Sequence, residues 1–178
     1  MDDWSIARYG DPCRECGYAW SLTVEETVDL VAALPAAYGE TIGDASGSER
    51  HPDLAWSVTA YVCHASDNLR IWAERLQGVL RGGTNVVGSY DDNRLAEVRG
   101  YEAIDAQAAL WSLSRAADDW CVTVREALDR EAIGRPVTLM HPERGEQRLV
   151  EVARANWHDA THHRWDIRRI LDHVEPVD

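Results

Sequence analysis

From Thr23 onward the apolar residues of this chain recur every three or four positions, the spacing that gathers them on one side of a helix. Thr23 and Glu26 form a Thr-x-x-Glu capping box, and Val24, Thr27, Val28, Val31 and Leu34 make the first stripe behind it. Pro35 lacks an N–H and is expected to end or kink that helix. After the Gly- and Ser-bearing stretch 43–48, Pro52 suits a first helical turn. Leu54, Val58, Tyr61, Ala65, Leu69, Trp72 and Leu76 then predict a second helix, stopped at Gly82-Gly83. A third helix is predicted over 103–130, with Ala106, Leu110, Leu113, Ala117, Trp120, Val124 and Leu128 inward. A fourth is predicted over 146–173, carrying Val150, Ala153, Trp157, Ile167, Ile170 and Val174. Residues 82–101 read as loop, and 131–148 as a connection with a short strand at 136–140. Residues 1–20 hold aromatics, glycine and cysteine without helical period and read as an N-terminal extension bearing a Cys-x-x-Cys.

Four long amphipathic segments without a set of strands predict an all-α fold: an antiparallel four-helix bundle over residues 21–178 behind the extension. Two connections of about 20 residues each imply at least one crossover rather than a simple up-and-down chain.

Composition narrows the chemistry. The chain has 178 residues, 45% of them apolar and 28% charged, enough for one domain with its own core. All 18 basic residues are arginine, and neither lysine nor phenylalanine occurs. Schiff-base and P-loop lysine chemistry are therefore excluded. A net charge of −13 argues against nucleic acid and anionic membrane as partners. No window approaches 18 consecutive apolar residues, and the acidic start Met1-Asp2-Asp3 is unlike a signal peptide, so a soluble cytoplasmic protein is expected. Four unevenly spread cysteines do not make a secreted disulfide framework; thiols or metal ligands are expected instead.

Histidine supplies the candidate chemistry. His158 and His162 lie four apart on the fourth helix and project from one face about 6 Å apart along the axis. His64 sits midway along the second helix at the edge of its stripe, sharing a face with Tyr61, Asn68 and Ile71. At a common depth in the bundle the three imidazoles would converge on one ion. Spacing alone leaves polar core or surface histidines as the alternative, and the Trp-rich inward context weighs against it, because a buried unpaired imidazole is costly. Asp166, four beyond His162, and Asp67, three beyond His64, are candidates to orient a ligand or take up a substrate proton; solvated surface carboxylates are the alternative. Asp159 and His163 each follow a ligand candidate directly, point about 100° away from it, and are expected off the site. Arg169 is a candidate to hold a substrate carboxylate, and Trp165 to wall a pocket, against an exposed arginine and core filler. Cys13-Arg-Glu-Cys16-Gly17 has the shape of a zinc knuckle. Free thiols, a mixed zinc site completed by His51 or His173, and a redox pair are its three readings. Cys63 and Cys121 read as small core residues.

The run from His64 to Leu76 (HASDNLRIWAERL), followed about 90 residues later by His158-Asp-Ala-Thr-His162-His163, resembles the DinB/YfiT-like metal-binding four-helix family over residues 22–174. The resemblance implies a divalent metal, zinc before nickel, held by His64, His158 and His162, with a homodimer as a further expectation. Members include thiol-S-transferases that use mycothiol or bacillithiol, and a mycothiol-dependent maleylpyruvate isomerase. The isomerase has a carboxylate in place of one histidine, which this trio does not. Three neutral imidazoles leave one position of a zinc ion open, the arrangement of catalytic sites. The function expected is metal-dependent transfer of a low-molecular-weight, mycothiol-like thiol to a small electrophile, or thiol-dependent isomerisation. A non-catalytic metal- or ligand-binding protein and a metal-assisted hydrolase are the alternatives.

Overall fold

A computed structural model describes residues 4–174. Met1-Asp2-Asp3, on which the signal-peptide argument rests, lie outside the described residues, as do residues 175–178. The elements are α1 (Trp4–Tyr9), α2 (Val24–Ile42), α3 (Val58–Leu80), α4 (Asp92–Arg99), a single 3-10 turn (Tyr101–Ala103), α5 (Ala106–Ala132), β1 (Thr138–His141), β2 (Gly145–Arg148) and α6 (Leu149–His173). No helix among the described residues is long and apolar enough to cross a membrane.

Local chemistry sets the boundaries. Thr23 Oγ1 accepts from the Glu26 N–H (3.2 Å), and Glu26 accepts from the Thr23 N–H (2.8 Å), so the predicted box starts α2. Pro35 neither ends nor replaces that helix, which runs on to Ile42. The second long helix begins at Val58 rather than near Pro52, because Ser57 caps it by accepting from the Ala60 N–H (3.2 Å). Asp105 caps α5 in the same way. The stretch 82–101, expected as loop, contains α4, opened by Asp91 and closed by Gly100 at a positive φ of 65°. The predicted strand pairs as one arm of a hairpin, Thr138 opposite Arg148 and His141 opposite Gly145.

The four long helices form one bundle. α3 and α2 each pack against both α5 and α6, so α2 and α3, successive in the chain, stand diagonally across it. This is the crossover that the long connections imply. The main core runs through Val31, Leu34, Leu69, Leu76, Leu113, Trp120, Val124, Ile167 and Ile170. A smaller cluster of Cys13, Tyr18 and Trp20, flanked by Ile6, Tyr9 and Trp157, lays the N-terminal segment against α6.

Buried polar groups fix how α6 is rotated in the bundle. Trp120 Nε1 donates to Asn156 Oδ1 (2.9 Å), and Asn156 Nδ2 donates to Asn68 Oδ1 (2.9 Å). Tyr38 donates its hydroxyl proton to the Ala160 carbonyl (2.7 Å). With these donors buried, any other rotation of α6 would strand them. Asn156, Ala160, Ile167 and Ile170 therefore define the inner stripe, and Asp159 and His163 fall at its edge toward α3.

Candidate functional site

On α3, His64 is 97% buried, and its Nε2 lies 3.5 Å from Asp159 Oδ2 of α6. Asp159 Oδ1 lies 3.6 Å from His163 Nε2, and the His64 and His163 rings meet edge-on with centroids 4.7 Å apart. One donor atom from each of the three residues lies within 4.8 Å of the others. Behind His163, Nδ1 stands 3.2 Å from Asp166 Oδ2, so the carboxylate can hold a proton on Nδ1 and leave Nε2 as the atom that would bind a cation in place of its own proton. On the other side of His64, Nδ1 lies 3.8 Å from Asp92 Oδ1 at the start of α4.

The electrostatics are those of a tightly coupled cluster of imidazoles and carboxylates. Burial alone would raise Asp159, but the two imidazoles outweigh it and hold its carboxyl well below the usual range. Burial likewise disfavours a charged His163, and Asp159 and Asp166 reverse that, lifting it to about 9. Burial raises Asp92. Two histidines and a carboxylate so placed, with Asp166 behind one of them, fit a divalent ion; the oxygen and nitrogen donors suit zinc and its neighbours.

His158 and His162 do not join His64. They occupy the adjacent face of α6 and meet the N-terminal segment, where one donor atom from each of Cys13, Cys16, His158 and His162 lies within 4.8 Å of the others. Cys13 Sγ stands 3.9 Å from His162 Nδ1. Burial, then the neighbouring His162, pushes His158 down to about 4, and burial pushes the Cys16 thiol up to about 11. His51 and His173, the expected partners for Cys13 and Cys16, pack against each other at a tilt instead, 4.5 Å between centroids.

The remaining candidates separate likewise. Asp166 is buried beside His163 rather than His162 and also accepts from Arg169 Nη1 (3.3 Å). Asp67 turns away from His64: it accepts from the Tyr101 hydroxyl (2.6 Å), from Arg99 Nε (2.8 Å) and from Arg70. Those three contacts make it a buried strut rather than a proton acceptor. The Tyr61 ring packs 5.1 Å from His163. Trp165 stands 5.5 Å from His162 and borders the cysteine side, and Arg169, stacked 4.6 Å over it, ties it to Asp166. Asn68 spends its carbonyl on Asn156 and lines a cleft.

That cleft, about 230 Å³, opens beside Asp159 and Asp92 and is lined further by Arg8, Tyr9, Trp72, Arg75, Tyr90 and Arg144. Arg75 lies between the Trp72 and Tyr90 rings, 4.5 and 5.5 Å from their centroids. Its Nη1 is buried without a hydrogen-bond partner among the described residues. A smaller space of about 130 Å³ connects Tyr9 with Asp159, His163, His158 and His162, between the two clusters. The spacing of Asn156, Ala160, His163 and Ile167 carried the signal for His163, since these four lie at helical repeats of one another, and Asp159 stands one helical turn before His163. Arg75 and Arg144 gave no such signal, because their convergence depends on the hairpin and α4.

Fold and donors together define an all-α bundle with two side-chain clusters able to hold a divalent metal, one between facing helices and one between α6 and the N-terminal segment. Among solved structures, YfiT from Bacillus subtilis, described as a probable metal-dependent hydrolase with an unusual four-helix bundle topology, matches with a TM-score of 0.67 at 18% identity, covering 85% of this chain and 91% of that one. The fold is thus the YfiT-type four-helix bundle. No family model and no curated protein sequence matches the chain.

Proposed function

We propose that His64, Asp159 and His163 hold a catalytic divalent ion, and that the protein joins a low-molecular-weight thiol to a small anionic electrophile in the cleft, or isomerises that electrophile through the thiol. The observation that carries this reading is the convergence of the three side chains at the rim of an arginine-lined cleft, with Asp166 fixing one of them. Two histidines and one carboxylate also match the donor composition that the resemblance implies for a thiol-dependent isomerase.

The chemistry such a centre supplies is positive charge that lowers the pKa of a thiol or water presented to it and polarises a substrate oxygen. The chain's own groups do the rest. Asp166 keeps His163 in the tautomer that offers Nε2. Asp92, raised by burial and bordering the cleft, takes up the thiol proton. Arg75 and Arg144 hold the anionic end of the electrophile, and Tyr9 closes the cleft over the donors.

Hydrolysis is the second reading, favoured by what is said of YfiT. Metal-loaded protein incubated with carboxylate-bearing electrophiles is expected to require thiol for turnover, consuming it in proportion to product if the reaction is transfer and returning it unchanged if the reaction is isomerisation. Asp159→Ala and His163→Ala are expected to abolish turnover. Product formation without added thiol would shift the assignment to hydrolysis, and full metal loading without turnover on either assay would leave a binding protein.

A further inference from the structure

We infer that Cys13, Cys16, His158 and His162 form a second, closed zinc site that staples the N-terminal segment to α6. The site is independent of the proposed chemistry: none of its donors belongs to the first cluster.

Donor type comes first. Two thiolates and two imidazoles with no carboxylate are the set of structural zinc, which fills all four tetrahedral positions with protein atoms. Local structure brings each pair together. Cys13 and Cys16 flank a tight turn in which the Gly17 N–H donates to the Cys13 carbonyl (3.0 Å) and the Cys13 N–H to the Tyr18 carbonyl (2.7 Å). Gly17 has a positive φ of 74°, a backbone that other residues rarely adopt. His158 and His162 are one helical turn apart.

The distances agree. Zinc–sulfur and zinc–nitrogen bonds of about 2.3 and 2.05 Å at a tetrahedral angle put sulfur and nitrogen about 3.6 Å apart. Cys13 Sγ and His162 Nδ1 are 3.9 Å apart. His162 Nε2, on the far side of the ring, lies 3.1 Å from Glu15 Oε2, a carboxylate placed to fix the tautomer with Nδ1 as ligand.

An orphan donor points the same way. His158 is buried, and its Nε2 has no hydrogen-bond partner among the described residues. Tyr9, Tyr18 and Trp20 enclose its ring at centroid distances of 4.6, 5.5 and 4.6 Å. An imidazole nitrogen walled in by aromatic rings needs a partner, and a cation supplies one. The apolar cluster behind the segment is small, with Cys13, Tyr18 and Trp20 buried and Ile6, Tyr9, Leu22 and Trp157 half-buried against them, and small segments commonly take a metal or disulfide as a further tie. The staple also reaches the first site: the segment it holds carries Arg8 and Tyr9 to the cleft wall.

Metal stoichiometry and cobalt substitution test this together. The full-length protein is expected to carry two equivalents of metal, and Cys13→Ser/Cys16→Ser one. His163→Ala is also expected to carry one, lost from the other site. Cobalt-loaded wild type should show thiolate-to-cobalt charge transfer, retained in His163→Ala and absent from the cysteine variant. The wild-type spectrum stands even if the cysteine variant fails to fold. A cobalt protein without the thiolate band, cysteine substitutions that leave the metal count unchanged, or a Cys13–Cys16 disulfide in protein isolated under reducing conditions would overturn the assignment.

Discussion

At the scale of single residues, the site turns on which nitrogen of His163 carries the proton. Asp166 Oδ2 at 3.2 Å from Nδ1 decides it, leaving Nε2 to face Asp159 and His64. In Asp166→Asn the amide can offer its N–H to Nδ1 and favour the other tautomer. Metal affinity at the first cluster is expected to fall about 10–100-fold with the fold intact, read by competition against a chelator of known strength. An unchanged affinity would place Asp166 in a purely structural role. Arg75, held between two rings with Nη1 lacking a partner, is the residue expected to hold an anion. Arg75→Ala should raise KM for a carboxylate-bearing substrate about tenfold or more while kcat changes little, the pattern of lost uniform binding.

At the scale of the element, α6 carries two candidate ligand faces one residue out of step: 158 and 162 toward the N-terminal segment, 159 and 163 toward α3. The chain of hydrogen bonds from Trp120 through Asn156 to Asn68 sets that rotation. Asn156→Ala leaves a buried indole N–H and a buried amide carbonyl without partners. It should cost about 2–6 kcal/mol in urea-unfolding free energy, about 1–3 for each stranded group. Much of this was legible beforehand. The Thr23 capping box, the four amphipathic stripes and the placement of a histidine cluster between the second and last long helices follow from periodicity and spacing. The one-residue offset does not. His158 and His162 satisfy the i, i+4 rule as well as Asp159 and His163 do, and only what covers each face tells them apart. The cover over 158 and 162 comes from a segment with no period to read, whose Cys-x-x-Cys turn meets α6 some 140 residues later. Helix α4, short and polar, was hidden for a similar reason: Ala96 is its single buried residue.

At the scale of the whole molecule, the N-terminal segment meets the bundle at the second cluster. The thiols report on that union. Burial pushes Cys63 to about 12 and Cys121 to about 11, so both should resist alkylation at pH 8 in the folded protein. Cys13 and Cys16 should be protected with metal bound, and two thiols per chain should become reactive when a chelator removes it, counted by mass spectrometry. Reaction of all four at once would mean that chelation unfolds the bundle as well as the segment. The cleft sets Arg8, Arg75 and Arg144 against Asp92, Glu143 and Asp159, so a cation held on the carboxylate side would leave the arginines to an anionic substrate. The most direct test of the whole account is an anomalous-difference map from crystals of the metal-loaded protein. It should show a peak bounded by His64, Asp159 and His163 at the cleft. A peak shared by His64, His158 and His162, or no density among the first three, would contradict it.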